Sequence, residues 1–112
     1  MKIVKVSEIE IKETPHKIDA RELYNHDNAQ VVHITLKPGE ALKPHITPVD
    51  VFFYILEGTP EVLVGDEKVQ IKADSLVESP KNIVHCLYNN SDVTARILVV
   101  KAPKPTTQTK LL

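Results

Sequence analysis

The stretch Gly39-Glu40-Ala41-Leu42-Lys43-Pro44-His45-Ile46-Thr47-Pro48-Val49-Asp50-Val51-Phe52-Phe53-Tyr54-Ile55-Leu56-Glu57-Gly58 holds one histidine between two glycines and ends in an apolar run. Side chains of an extended chain alternate between faces, so His45, Thr47, Val51, Phe53 and Ile55 share one face. Val51 to Leu56 has the length of a strand rather than a helix. Gly39 and Gly58 stand where a strand gives way to a sharp turn, a place for positive φ.

The same rhythm continues on both sides. Val31 to Leu36, Val62 to Val64, Lys68 to Ile71, Leu76 to Glu78, Val84 to Tyr88 and Val93 to Val100 are short and apolar. Between them lie Lys37-Pro38-Gly39, Gly65-Asp66, Ala73-Asp74 and Ser79-Pro80-Lys81-Asn82. Strand and turn alternate at short spacing, and no segment after Tyr24 is long enough for a helix, which predicts an all-β sandwich or barrel. Upstream, Glu8 to Glu13 alternates strictly, so Ile3 to Lys12 is expected to form an edge strand and Ala20 to Tyr24 a single helical turn. The two prolines and small polar residues of 102–112 predict a disordered tail. The expected layout is an N-terminal strand and connecting loop over 1–29, a barrel over 30–101 and that tail.

A second stretch, Pro80-Lys81-Asn82-Ile83-Val84-His85-Cys86-Leu87-Tyr88-Asn89, places a histidine on another short strand. Taken together, the two stretches resemble the paired motifs of the cupin superfamily. Gly39, His45 and Gly58 fall on the first motif's two glycines and first histidine; Pro80, His85 and Asn89 fall on the second motif, with Asn82 at its glycine position. The resemblance implies a double-stranded β-helix, or jelly-roll barrel, often dimeric. It also implies a site for a divalent transition metal (Fe, Mn, Ni, Cu or Zn) held by three histidines and one carboxylate. In this chain Thr47 stands at the second histidine position and Val51 at the glutamate position, which leaves His45 and His85 as the metal ligands. Each missing ligand would be replaced by exchangeable water, so the remaining pair is expected to hold a metal weakly or not at all.

Around that pair the expected pocket takes in Thr47, Val51, Phe53 and Leu87, with His33 and Asp50 as substitutes for the absent ligands. His33 enters it only if the polar face of Val31 to Leu36 is the inner one. Asp50, out of phase with His45, enters it only through a bulge. Ile83 shares the parity of Leu87 and is expected inside, Cys86 is expected to pack on the outer face, and His16 and His26 read as loop histidines.

Composition removes several functional classes. Fourteen Lys and Arg against fifteen Asp and Glu give a formal charge of -1, too little excess cation for phosphate backbones or anionic membranes. One cysteine supplies neither a disulfide framework nor a zinc quartet, and no apolar run is long enough to span a bilayer, so a cytoplasmic protein is expected. Three readings of function stay open at this point. The first is a barrel that binds a small molecule at a degenerate metal site, with or without a metal. The second is a metal-dependent isomerase, dioxygenase or decarboxylase acting on a small oxygenated substrate, and the third is a structural or partner-binding module. A homodimer is expected, because burial against a second copy would protect the N-terminal edge.

Overall fold

Each expected β segment from Val31 onward finds an antiparallel neighbour in the computed structural model, which describes all 112 residues. The strands are β1 (Asp19–His26), β2 (Ala29–Leu36), β3 (His45–Ile46), β4 (Val51–Glu57), β5 (Glu61–Val64), β6 (Glu67–Gln70), β7 (Leu76–Ser79), β8 (Val84–Tyr88), β9 (Ala95–Lys101) and β10 (Lys110–Leu111). They form two five-stranded sheets, ordered β1-β2-β9-β4-β7 and β10-β3-β8-β5-β6. The alternation read from β4 holds: Val51, Phe53 and Ile55 are buried between the sheets, while Phe52 and Tyr54 are partly exposed. Ile34, Leu36, Leu87, Ala95, Ile97 and Val99 complete that core from β2, β8 and β9. Burial of a side chain such as Phe53 contributes about 1.5–3 kcal/mol, which fixes the register that brings the histidines together.

The turns keep the motif geometry. Gly39 and Gly58 have φ of 86° and 82°. A Cβ at Gly58 would lie 2.6 Å from the Thr94 carbonyl oxygen, whereas one at Gly39 would meet nothing. Asn82, standing where the second motif has glycine, adopts φ 63°, the left-handed region that asparagine tolerates better than most residues. Its amide donates to the Thr47 carbonyl at 2.9 Å and so ties the second motif to the first.

Four expectations of secondary structure and packing change. Ala20 to Tyr24 lies in β1 rather than in a helical turn, because β2 supplies a ladder partner for each residue except at the bulge between Glu22 and Tyr24. Ile3 to Lys12 forms no strand. It runs over a 3-10 turn at Val6–Glu8 and is tied down by the Arg21 guanidinium on the Val6 carbonyl (2.9 Å) and by the Lys12 amide on the Ala20 carbonyl (2.7 Å). Alternation marks two faces, but a strand also needs a neighbour's ladder, and of this segment only Lys12 makes a backbone bond to β1. The tail is not structureless, since Lys110 and Leu111 pair with Ile46 and His45, and the Leu112 amide donates to the Pro44 carbonyl. Ile83 lies in the turn before β8 and is exposed rather than inward. No helix is long and apolar enough to cross a membrane.

Candidate functional site

β3 and β8 are neighbours in the second sheet, and their register sets His45 directly opposite His85. Both are buried, with ring centroids 4.5 Å apart and nearly perpendicular planes. Phe53 reaches across from β4 to meet the His85 ring edge-on at 5.2 Å. A third imidazole completes the group: His16, on the loop leading into β1, lies 4.8 Å from His45. Periodicity could not find it, because His16 follows Pro15 in a segment without a repeat and reaches the barrel mouth only through tertiary folding.

One residue fixes the protons of two of these rings. The Lys43 amide donates to His16 Nδ1 at 2.8 Å, so neutral His16 carries its proton on Nε2. The Lys43 carbonyl accepts from His45 Nδ1 at 2.7 Å, so His45 keeps its lone pair on Nε2. His85 is engaged at both ends, by Ser79 Oγ at Nδ1 (2.7 Å) and by Thr47 Oγ1 at Nε2 (3.0 Å). All three rings are held neutral at pH 7. Burial, then the neighbouring His45, Lys101 and His16, brings His85 down to about 3. Burial, then His45, Lys43 and Lys101, brings His16 to about 4. His45 is lowered by burial, an effect that its bond to Lys43 opposes and Lys101 reinforces.

These rings border a cavity of about 130 Å³, lined also by Ile18, Ala20, Val32, Ile34, Leu42 and Val99 and by the polar Lys12, Thr14 and Lys101. Lys101 ends β9, whose alternate residues Ala95, Ile97 and Val99 point into the core, so it continues the inward face. Its register partner on β4 is Val51. A lysine thus stands opposite the position where the motif places its carboxylate, and burial holds that ammonium below its ordinary 10.5.

The remaining residues of the expected pocket are placed as follows. Thr47 is buried against His85. Val51 and Leu87 are core side chains that do not line the cavity. Asp50 points away, and its carboxylate accepts from the Lys81 amide at 2.9 Å to brace the turn before β8. His33 is buried on the opposite face of β2 from Val32, Ile34 and Leu36; it accepts from Arg96 Nε at 3.2 Å, and its Nδ1 has no partner. Neither Asp50 nor His33 substitutes for a missing ligand. Cys86 is fully buried, its thiol donating to the Leu42 carbonyl at 3.2 Å.

The donor set does not fit a resident metal. His16 Nε2 carries a proton, both nitrogens of His85 are engaged by hydroxyls, and only His45 Nε2 offers a free lone pair. The three imidazoles gather, but with these nitrogens committed they present no set of three or more His, Cys, Asp or Glu donors that could hold a metal ion.

Known proteins share this architecture. The family model described as the cupin domain matches residues 32–101. Tetracenomycin polyketide synthase protein TcmJ of Streptomyces glaucescens is 32% identical over 72 residues, 63% of this chain and 48% of TcmJ. The match thus spans about half the length of that curated relative. Among solved structures, the polyketide cyclase RemF from Streptomyces resistomycificus superposes with TM-score 0.85 at 17% identity, covering 100% of this chain and 85% of RemF. TT1209 from Thermus thermophilus gives 0.80 at 28% identity, covering 94% of this chain and all of TT1209. A predicted oxalate decarboxylase from Thermotoga maritima gives 0.80 at 20% identity, covering 99% of this chain and 100% of that one.

Proposed function

From the premise that the chain belongs to the cupin family, its cupin domain spanning residues 32–101, we propose that it is a barrel that binds a small molecule without a resident metal. The observation that carries this reading is the Thr47 hydroxyl on His85 Nε2, which occupies a nitrogen that a metal would need. What remains is a cavity with apolar walls on one part and convergent polar groups on the other, a profile that suits a small-molecule site. Its size narrows the ligand. About 130 Å³ is close to the ~150 Å³ cavity that admits benzene and well under the ~300 Å³ at which ordinary ligand pockets begin. A polyketide, the class printed in the names of TcmJ and RemF, would place one ring in it at most.

Elemental analysis of protein purified without chelator tests the metal half of this reading. The expected result is metal far below one equivalent, with uptake appearing in the variant Thr47→His, Val51→Glu. Near-stoichiometric metal in the parent, lost in His45→Ala, would overturn it and favour a metal-dependent isomerase, dioxygenase or decarboxylase. The chain is further proposed to pair with a second copy through its N-terminal arm, where Ile3 and Ile11 are exposed beside strand β1 at a sheet edge. Sedimentation as a dimer supports this pairing, and a monomer unchanged by Ile3→Glu contradicts it.

A further inference from the structure

The cavity's lining is one-signed. It includes Lys12, Lys101 and three histidines, but no aspartate or glutamate. Lys12 is already committed, its ammonium lying 2.9 Å from the Glu22 carboxylate. Lys101 is not: its Nζ makes no hydrogen bond or ion pair with any protein group, although it projects from the inward face of β9 into a partly desolvated space. An unpaired ammonium held away from water is costly unless something supplies the counter-charge. Gln30, its register partner on β2, is a neutral amide, and Val51, its partner on β4, is apolar. The one carboxylate whose charge reaches it is that of Glu22, which is already paired with Lys12.

Resting on the proposal that this cavity binds a small molecule, we infer that its ligand class is a carboxylate monoanion on an apolar body of one ring or less, with Lys101 as the counter-charge. The apolar walls of Ile18, Val32, Ile34 and Val99 take the body, and Lys101 takes the carboxylate. The side chain thereby supplies the positive charge that the family's motif assigns to a metal, from the strand position opposite Val51. Lys101 is proposed as a binding and specificity residue, and no chemical step is assigned to it.

Benzoate and benzamide, which share a ring but differ in charge, serve as probes. Binding is read by calorimetry and by shifts of the Phe53 and His85 resonances. The parent is expected to prefer benzoate by at least about tenfold, because a charge pair a few ångströms apart in a partly buried site outweighs an amide contact. In Lys101→Met the preference should fall to within about threefold while benzamide still binds, and Lys101→Arg should restore it. Equal affinities in the parent, with both probes moving Phe53, would overturn the inference and leave the cavity reading standing. The same holds for a tenfold preference that survives in Lys101→Met. If neither probe perturbs Phe53 or His85 at millimolar concentration, the cavity reading itself fails.

Discussion

The Thr47 hydroxyl lies 3.0 Å from His85 Nε2, so the residue that replaces the motif's second histidine also occupies the nitrogen that its partner histidine would turn toward a metal. Both atoms are buried, and Ser79 holds the opposite nitrogen of the same ring. Loss of the threonine hydroxyl leaves a buried polar atom without a partner, which costs about 1–3 kcal/mol. Urea unfolding of Thr47→Val should show a loss in that range. A change within about 0.5 kcal/mol, the scale of ordinary surface substitutions, would show that the hydroxyl is not His85's partner.

Stability should fall in mild acid. In the folded chain His85 titrates at about 3 against an ordinary 6.5, so below pH 6.5 the unfolded chain binds a proton that the native chain refuses. Stability is full above that pH and is lost as the pH falls toward the folded value. At pH 5 His85 alone accounts for about 2 kcal/mol, at about 1.4 kcal/mol per unit. His16, also lowered, acts in the same direction. Urea unfolding at pH 7.5 and pH 5 checks this, with His85→Gln expected to reduce the difference; equal stability at the two pH values in the parent would refute it.

The two motif glycines should differ in their response to alanine. Both have positive φ, but a Cβ at Gly58 would stand 2.6 Å from the Thr94 carbonyl oxygen while one at Gly39 meets open space. Gly39→Ala is expected to cost about 1–2 kcal/mol from the left-handed backbone alone. Gly58→Ala should cost more, because backbone must also move. Thermal unfolding of the pair gives the order, and a Gly39 variant less stable than the Gly58 variant would contradict it.

His33 faces away from the cavity, with Nδ1 unpaired and Nε2 on a partly exposed Arg96 that also lies 3.6 Å from Glu57. Replacing it with leucine removes an orphaned buried donor and leaves Arg96 a carboxylate neighbour. His33→Leu should therefore stay within about 1 kcal/mol of the parent and bind cavity ligands unchanged. A loss of ligand binding would place His33 on the wrong face.

The barrel is legible in the sequence because its signals are local: the alternation of Val51, Phe53 and Ile55, the turns at Gly39 and Gly58, and the shared parity of His45 and Thr47 all survive in the structure. Half of the cavity is not. His16 arrives on a loop without periodicity, its ring anchored by a hydrogen bond from the sequence-distant Lys43. Lys101 follows the run Ile97 to Val100, which is apolar on both faces, and a lysine ending it reads as solvated. Its parity with Ala95, Ile97 and Val99 is visible in the sequence, but only the register between β4 and β9 reveals that it faces Val51. The N-terminal segment misleads for the opposite reason. Its alternation is genuine, but beside β1 it makes a single backbone bond, at Lys12, and no ladder.

The most direct test of the account is benzoate calorimetry on one preparation before and after exhaustive dialysis against EDTA, with elemental analysis of both samples. Protein charges are proposed to supply the cavity's counter-charge, so the affinity should be the same in both samples, with metal below about one tenth of an equivalent throughout. Binding that disappears with EDTA and returns on adding a divalent transition metal would contradict it.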